Sequence, residues 1–196
     1  MIESFNEIPE EDIQTYNEWA GYFSLKPNFV KWALSKCDKK VIGVFSGNQC
    51  GKNANIERDY IDRILGIHPI EEKNMRPNTP IRVLRFASQT LPTESEAGGE
   101  IRNTMYPQFK KFFPSYLIKK DITARRPAIT IRDPQLGGDI VIEFVSYNQE
   151  VQSQAGHQRW SIYLDEEPPL SFFEEQIPRL LASNGDLIIG MTPTEN

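Results

Sequence analysis

Short runs of apolar residues alternate along the chain with longer segments whose apolar residues recur every three or four positions. The first pattern is typical of buried β-strands, and the second of α-helices with one buried face. The predicted strands are the segments 41–45, 81–88, 128–132, 139–146, 161–165 and 186–192. The predicted helices are the segments 9–23, 27–37, 52–65, 94–112 and 170–182. Buried strands that alternate with helices predict an α/β fold with a mainly parallel sheet covered on both faces.

The segments 128–132 and 139–146 differ from the others because no helix separates them. The six residues between them, DPQLGG, contain a proline and two glycines that favour a turn. An antiparallel hairpin is therefore predicted as an addition to the parallel sheet. The length of 196 residues suits one well-packed domain. We expect that domain to span residues 1–196, with residues 1–40 as a helical lead-in.

Composition excludes several classes of protein. Hydrophobic residues make up 39% and charged residues 25% of the chain, which is the balance of an ordinary globular protein. No apolar run approaches the roughly 20 residues of a membrane span, and the acidic start predicts no signal peptide. The two cysteines, Cys37 and Cys50, are too few for a disulfide framework. We interpret them as reduced thiols of a cytoplasmic protein.

The net charge of −5 is unevenly distributed. Residues 110–132 contain seven basic residues and one acidic residue, whereas the first 18 residues contain six acidic residues and no basic one. A local basic patch can bind a polyanion even on an acidic domain. The alternative interpretation is the solvated surface of a hairpin, and the sequence does not decide between the two.

The first predicted strand leads into the octapeptide SGNQCGKN, which comprises Ser46, Gly47, Asn48, Gln49, Cys50, Gly51, Lys52 and Asn53. This octapeptide is close to the phosphate-loop pattern G-x-x-x-x-G-K-[ST], which requires a strand before it and a helix after it. Glycine lets backbone N–H groups turn towards phosphate oxygens, and the helix N-terminus adds its positive dipole end. The lysine would reach the β- and γ-phosphates of a nucleotide. All eight residues are therefore candidate nucleotide-binding residues.

Two positions depart from that pattern. Ser46 replaces the first glycine, which is a mild change, and Asn53 replaces the Ser or Thr whose hydroxyl binds Mg²⁺. An asparagine amide oxygen can also bind Mg²⁺, so Asn53 is a candidate metal ligand. The alternative is a glycine-containing turn that carries an incidental lysine.

The fifth predicted strand ends in a run of acidic residues, Asp165, Glu166 and Glu167, followed by two prolines. In a parallel sheet the carboxyl end of this strand lies beside the phosphate loop. We expect Asp165 to hold Mg²⁺ and Glu166 to polarise the attacking water, with Glu167 as the rival for that role. The alternative is an acidic loop before a helix, which the upstream phosphate loop makes less favoured.

Four segments of the chain resemble the ATPase domain of the large terminase subunit of tailed bacteriophages. They are the phosphate loop SGNQCGK, the strand RVLRFAS at 82–88, the acidic segment YLDEEPP at 163–169, and GMTPT at 190–194. The last segment resembles the family's coupling motif, in which Thr192 and Thr194 would link hydrolysis to movement. Their order and spacing fit over about residues 26–194.

The resemblance implies a P-loop fold of the additional-strand, RecA-like type. It implies that ATP and Mg²⁺ are the cofactors, that Lys52 and Glu166 are catalytic, and that hydrolysis drives double-stranded DNA into a viral procapsid. The expected partners are double-stranded DNA, a portal protein, a small terminase subunit and further copies of this chain in a ring, with a monomer in isolation left open. The expected location is the host cytoplasm, docked on the procapsid, and no membrane association is expected.

Several features of the family are missing. No arginine stands within the phosphate loop, and Ala155 stands where other members have an arginine before the acidic strand. Arg159 is a candidate substitute as an arginine finger; Arg125, Arg126 and Arg179 are rivals. Adenine contacts are unassigned. Large subunits carry a C-terminal nuclease domain, but no acidic cluster follows residue 194. We therefore expect a truncated chain, with an unusually short product as the alternative, and no nuclease activity.

Two other classes of function remain open at this point. One is a different P-loop DNA motor, such as a helicase or a recombination motor. The other is a nucleotide-binding module with weak or no hydrolysis, which Asn53 and the missing arginine finger favour. Within the basic segment, Lys119, Lys120, Arg125 and Arg126 are candidate contacts to DNA or to the portal.

Overall fold

The computed structural model describes residues 34, 36–47, 51–79, 82–89, 105–122, 127–148 and 158–193. Within these residues the strands are β1 (Val41–Phe45), β2 (Arg82–Ser88), β3 (Ile118–Ile122), β4 (Ala128–Arg132), β5 (Asp139–Ser146), β6 (Ser161–Asp165) and β7 (Asp186–Met191). The helices are α1 (Lys52–Leu65), α2 (Glu71–Asn74), α3 (Tyr106–Phe112) and α4 (Leu170–Leu181), with a 3₁₀ turn at Ser115–Leu117.

The seven strands form one sheet in the order β1-β7-β6-β2-β5-β4-β3. Four neighbouring pairs are parallel, namely β1–β7, β7–β6, β6–β2 and β2–β5. Strand β4 pairs antiparallel with both β5 and β3. Strand β7 therefore lies between β1, which precedes the phosphate loop, and β6, which ends in the acidic residues. That inserted strand is the feature expected of the additional-strand P-loop fold, so the predicted fold class is confirmed.

The two faces of the sheet pack against different helices. On one face Tyr163 of β6 belongs to a core with Tyr60 of α1 and Phe109 of α3. On the other face Ile162 of β6 packs in a separate core with Phe172 of α4. All five residues of β6 are buried, because neighbours in a strand point to opposite faces and both faces are covered. The continuous apolar run in the sequence has this physical cause.

Most sequence-based elements agree with the structure to within one residue. The hairpin is present, with Ile131 opposite Ile140 and Arg132 opposite Asp139. Strand β3 and helix α2 were not predicted. Strand β3 reads IKKDI, and among the described strands it pairs only with β4, so that both of its lysines are exposed at the side of the sheet. The predicted helix 94–112 is described only from residue 105.

The predicted helices 9–23 and 27–37 lie outside the described residues, apart from residues 34, 36 and 37. None of the helices in the described ranges is long and apolar enough to cross a membrane.

Candidate active site

The parallel strands all end at the same side of the sheet, which we call the carboxyl edge; the side at which they begin is the amino edge. At the carboxyl edge, distant parts of the chain meet. At this edge α1 begins directly after Gly51, whose φ of 76° lies in the left-handed region that favours glycine. The backbone N–H of Ser46 donates to the carbonyl oxygen of Met191 (3.2 Å), which fastens the start of the phosphate loop to the end of β7. Lys52, the first residue of α1, is thereby directed towards the ends of β6 and β7.

Lys52, Glu166 and Thr192 form a closed hydrogen-bonded cluster. The Lys52 ammonium donates to Glu166 Oε1 (3.1 Å) and to the Thr192 hydroxyl (2.7 Å). Thr192 in turn donates its hydroxyl to Glu166 Oε1 (2.8 Å) and its backbone N–H to Glu166 Oε2 (2.9 Å). The lysine of the phosphate loop, the expected catalytic glutamate and the first threonine of the coupling motif therefore meet at one point.

Glu166 reaches this point through an unusual backbone conformation. Its φ is 61°, in the left-handed region that non-glycine residues seldom adopt. The backbone N–H of Glu166 donates to the carbonyl oxygen of Gly190 (2.7 Å), which holds the turn against β7. Such a conformation costs on the order of 1–3 kcal/mol and is often found at functional sites. Glu167, the next residue, is exposed to solvent.

The environment of Glu166 favours its ionised form. Partial burial would raise the pKa of Glu166, but the hydrogen bonds from Thr192 and from Lys52 outweigh burial and lower it below its usual range. The carboxyl group is therefore charged at neutral pH. Its side chain remains 38% exposed, so it stays accessible to water and to a ligand.

Asp165 is buried beside this cluster and is held by three hydroxyl groups. Tyr163 donates to its Oδ1 (2.9 Å), Ser88 donates to its Oδ2 (3.3 Å), and Tyr147 donates to its backbone carbonyl oxygen (2.9 Å). The Tyr163 hydroxyl also lies 2.6 Å from Asn53 Oδ1. Burial and the Asp165 carboxylate raise the pKa of Tyr163 well above its usual value, so the phenol keeps its proton.

The oxygen atoms of Asp165 and Asn53 form a donor set that fits Mg²⁺. Both oxygens lie within hydrogen-bond reach of one hydroxyl, that of Tyr163. Magnesium prefers oxygen ligands and is usually bound through one or two protein groups together with substrate phosphates. The described residues contain no group of three or more His, Cys, Asp or Glu side chains that could hold a metal without such help.

Two solved structures share this fold. The large terminase from a thermophilic bacteriophage superimposes with a TM-score of 0.60 at 15% identity, over 86% of this chain and 40% of that chain. The same protein in complex with ADP gives a TM-score of 0.55 at 14% identity, over 84% of this chain and 38% of that one. This chain has the fold of part of a large terminase. It thus spans about 40% of the length of these structures.

No protein-family model matches the sequence, and no curated protein sequence does so either. The resemblance to terminases that the motifs indicate is therefore supported by the fold rather than by overall sequence similarity.

The structure brings together many of the candidate residues from the sequence, namely Ser46, Gly51, Lys52, Asn53, Asp165, Glu166 and Thr192. Gly47 directly follows Ser46 and is exposed. Asn48, Gln49, Cys50 and Thr194 lie outside the described residues, so their proposed roles stay predictions.

Arg159 is not brought to this site. It lies before the amino end of β6, at the opposite edge of the sheet from Asp165. Its side chain is 1% exposed and pairs with Glu143 Oε2 (3.2 Å), as does Arg85 (2.7 Å). An arginine finger must reach the γ-phosphate of the nucleotide. The position of Arg159 therefore does not favour it as the arginine finger for a nucleotide bound to the same chain. Arg179 pairs with Glu175 on α4, and Arg125 and Arg126 lie outside the described residues.

Lys119 and Lys120 lie on the edge strand β3, at the far end of the sheet from β1. Both are exposed, and Lys119 forms an ion pair with Asp139. These two lysines are therefore separate from the candidate active site.

Sequence reasoning missed several residues that support Asp165, above all Tyr163, Tyr147 and Ser88. Ser88 could have been found, because it is a polar residue at the carboxyl end of a predicted parallel strand. Tyr163 and Tyr147 carried no such signal, because an aromatic residue in a buried strand is usually a core residue. Only the strand order shows that both hydroxyl groups point to the same aspartate.

Proposed function

We propose that this chain is the ATP-hydrolysing motor domain of a terminase large subunit, which moves double-stranded DNA into a viral procapsid. The convergence of Lys52, Glu166 and Thr192 is the observation that carries the proposal. These residues come from the phosphate loop, the acidic strand end and the Thr-Pro-Thr segment, which lie more than 100 residues apart from first to last. The ADP complex of a large terminase with the same fold supports a nucleotide as the ligand.

The phosphate groups of ATP would bind at the start of α1. The helix N-terminus and the backbone N–H groups that follow Gly51 attract anionic oxygens. The Lys52 ammonium neutralises charge on the β- and γ-phosphates, in competition with its contact to Glu166. Ser46 is a tolerated replacement for glycine, because its φ is not positive and its position requires no left-handed backbone.

Asp165 and Asn53 would hold Mg²⁺ together with the phosphate oxygens. When bound, the ion supplies positive charge that stabilises the leaving and transferred phosphate oxygens. The contribution of the chain is to fix the orientation of the Asp165 carboxylate through Tyr163 and Ser88. Outer partners of this kind orient metal ligands in many sites.

Glu166 is the residue that we assign to water activation. Its carboxylate orients a water molecule and accepts a proton as the water oxygen attacks the γ-phosphorus. The bond from that phosphorus to the β–γ bridging oxygen breaks, and the products are ADP and inorganic phosphate. The left-handed backbone and the two hydrogen bonds from Thr192 hold the carboxylate at the mouth of the site.

Thr192 provides a physical connection between hydrolysis and movement. It contacts both Lys52 and Glu166, and it follows β7, which lies between the two strands that form the site. A change in charge at the phosphates alters these contacts and shifts the segment after β7. Thr194 lies two residues further on, and we include it in the coupling segment.

The remaining partners follow from the proposed motor function. Double-stranded DNA is the substrate that is moved, and a portal protein and a small terminase subunit complete the machine in the host cytoplasm. Arg159 is buried in an ion pair with Glu143 and is not directed at the candidate site. A ring of copies would let a neighbouring subunit supply another arginine as the finger. The exposed Lys119 and Lys120 of β3 are candidate contacts to DNA or to the portal.

A nucleotide-binding module with weak hydrolysis is the second candidate function. Asn53 favours it, because an amide replaces the hydroxyl that usually binds Mg²⁺. The position of Arg159 favours it as well, because turnover is slow without a finger.

Release of phosphate from ATP distinguishes the two candidates. The rate is measured with and without Mg²⁺, and with and without double-stranded DNA, at protein concentrations that span ring assembly. The motor predicts Mg²⁺-dependent release that DNA or assembly increases. Tight nucleotide binding with no release under any of these conditions would favour the binding module.

A further inference from the structure

The hydroxyl of Tyr163 lies between the two residues assigned to Mg²⁺. It is 2.6 Å from Asn53 Oδ1 and 2.9 Å from Asp165 Oδ1, and Tyr163 is fully buried. Tyr163 and Asp165 are two residues apart in β6, so their side chains point to the same face of the strand. The hydroxyl is thus directed at the start of α1, where Asn53 follows Lys52.

The chemistry of the phosphate loop explains what a hydroxyl does at this point. In the usual pattern a Ser or Thr follows the lysine, and its hydroxyl binds the metal through oxygen while its hydrogen remains available to an acceptor. The Asn53 side chain has an amide oxygen but no hydroxyl. Tyr163 places a hydroxyl between that amide oxygen and the Asp165 carboxylate, and its single hydrogen is shared between these two acceptors.

The space for this hydroxyl depends on Gly190. Asp165 and Gly190 are paired neighbours in β6 and β7. A Cβ atom added to Gly190 would lie 2.6 Å from the Tyr163 hydroxyl, which is closer than Cβ atoms approach other atoms in folded proteins. The glycine of the coupling segment and the tyrosine of the acidic strand are therefore matched in size.

We propose that Tyr163 is a positioning residue of the metal site, which supplies the hydroxyl that Asn53 lacks and holds Asn53 and Asp165 as a pair. This inference rests on the proposed function, because it assumes that nucleotide binds here with Mg²⁺. In the arrangement Asn53–Tyr163–Asp165, the phenol offers a hydroxyl hydrogen to Asp165, as the hydroxyl of the usual threonine would.

The first test compares Tyr163→Phe with the wild type by binding of a fluorescent ADP analogue in the presence and absence of Mg²⁺. The substitution removes one oxygen atom and keeps the ring. We define the Mg²⁺-dependent gain as the factor by which Mg²⁺ increases the affinity for the analogue. We expect the affinity without Mg²⁺ to stay within about twofold of the wild type. The Mg²⁺-dependent gain should fall about tenfold, the lower end of the range for outer partners of metal ligands. An unchanged Mg²⁺-dependent gain overturns the proposal.

Tyr147→Phe is the matched control. Tyr147 is also a buried tyrosine that donates to Asp165, but it binds the backbone carbonyl oxygen rather than the carboxylate. We expect this variant to keep most of the Mg²⁺-dependent gain. An equal loss in both variants would mean that any buried hydroxyl near Asp165 matters, and it would overturn the specific role of Tyr163.

A rescue experiment tests the link to Asn53. In the Tyr163→Phe background, Asn53→Thr restores a hydroxyl next to Asp165, and we expect it to recover most of the lost Mg²⁺-dependent gain. In the wild-type background the same substitution should change that gain by less than about threefold, because the phenol is already present. Equal effects in the two backgrounds would show that the residues act independently, against the proposal.

Gly190→Ala provides a readout that needs neither nucleotide nor metal. We expect this substitution to lower the midpoint of thermal unfolding more in the wild type than in Tyr163→Phe, because the hydroxyl is the atom nearest to the added Cβ. Equal shifts would contradict the stated geometry and overturn the proposal.

Mg²⁺-dependent nucleotide binding by the wild type and by Tyr163→Phe separates the role of Tyr163 from the proposed function. A wild-type protein without Mg²⁺-dependent nucleotide binding would refute both. A wild-type protein with such binding, together with a Tyr163→Phe variant that matches it, would refute the role of Tyr163 alone.

Discussion

Two clusters of buried charge lie at opposite ends of helix α1, and they differ in their exposure. At the carboxyl edge of the sheet, Lys52 pairs with Glu166, whose side chain is 38% exposed. At the amino edge, Arg63 pairs with Asp59 (2.6 Å) and with Asp186 (2.8 Å), and all three side chains are less than a tenth exposed.

The amino-edge cluster is closed off by further protein groups. The His68 Nε2 atom lies 2.8 Å from Asp59 Oδ1, and His68 Nδ1 accepts a hydrogen bond from the backbone N–H of Ile70 (3.0 Å). Burial would raise the pKa of Asp59, but the Arg63 guanidinium and the hydrogen bond from His68 lower it to about 2.

Strongly shifted pKa values therefore occur outside the candidate active site as well as inside it. Those at the amino edge belong to groups that satisfy one another inside the fold, where they fix the end of α1 to β7. Glu166 at the carboxyl edge instead remains open to a ligand. Structural ion networks perturb pKa values as well as catalytic ones, so accessibility has to be considered together with electrostatics.

The largest expected effect comes from Lys52→Ala at the carboxyl edge. ATP turnover should fall below detection and nucleotide affinity should weaken, because backbone N–H groups alone do not neutralise the phosphate charge. Phosphate release and nucleotide binding are the measurements, and near-native thermal unfolding is the control for folding. Unchanged hydrolysis in this variant would remove the phosphate loop from the proposed mechanism.

Arg63→Met at the amino edge should instead unfold the protein more easily. Removal of the cation leaves Asp59 and Asp186 buried without their main partner, which costs about 3–5 kcal/mol in comparable buried pairs. Urea unfolding measures the loss. The control is Lys39→Met, which breaks an exposed ion pair with Asp38 and should cost under about 1 kcal/mol. A stable Arg63→Met variant that has lost turnover would mean that the two clusters are not separate in role.

Glu166→Gln should keep nucleotide binding and lose hydrolysis by a factor on the order of 10² or more, the scale of general-base removal. The amide keeps the shape of the side chain but accepts a proton poorly. Single-turnover phosphate release is the measurement. Glu167→Gln is the matched control, because Glu167 is adjacent and exposed. Loss of hydrolysis in the control alone would move the catalytic assignment by one residue.

The depressed pKa of Asp59 predicts a pH-dependent contribution to stability. The folded-state pKa of about 2 lies below the ordinary value of 3.8, so the contribution is complete above about pH 4 and is lost as the pH falls towards 2. It amounts to about 2 kcal/mol. The difference in unfolding free energy between the wild type and Asp59→Asn should therefore shrink over that range. A difference that stays constant down to about pH 2.5 would contradict the assignment.

The smallest expected effect concerns the basic segment, in which Lys119 and Lys120 are exposed. Reversal of Lys119, Lys120, Arg125 and Arg126 to glutamate should weaken DNA binding and flatten its dependence on the logarithm of salt concentration, because phosphate contacts release counterions. ATP hydrolysis without DNA should persist in a variant that reverses Lys119 and Lys120 alone, since β3 lies at the far end of the sheet from β1. An unchanged affinity and salt slope would favour a solvated surface without a DNA contact.

Local patterns in the sequence predict the elements of this fold that bury their own apolar residues. Apolar runs predicted β1, β2 and β4 to β7 and periodic apolar residues predicted α1, because burial imposes a spacing that one segment displays on its own. The glycines and lysine of the phosphate loop, the acids after β6 and the threonine after β7 were also readable. Their chemistry requires particular residue types at strand ends.

Which of these groups meet depends on the order of the strands in the sheet. The contact of Lys52 with Glu166 and Thr192 depends on β7 lying between β1 and β6, and strand order is a property of the whole sheet. The left-handed turn at Glu166 depends on its backbone hydrogen bond to Gly190 of β7, and the contact of Tyr163 with Asn53 depends on the packing of α1 against β6. A pattern within one segment carries no record of a partner that lies more than 100 residues away in the chain.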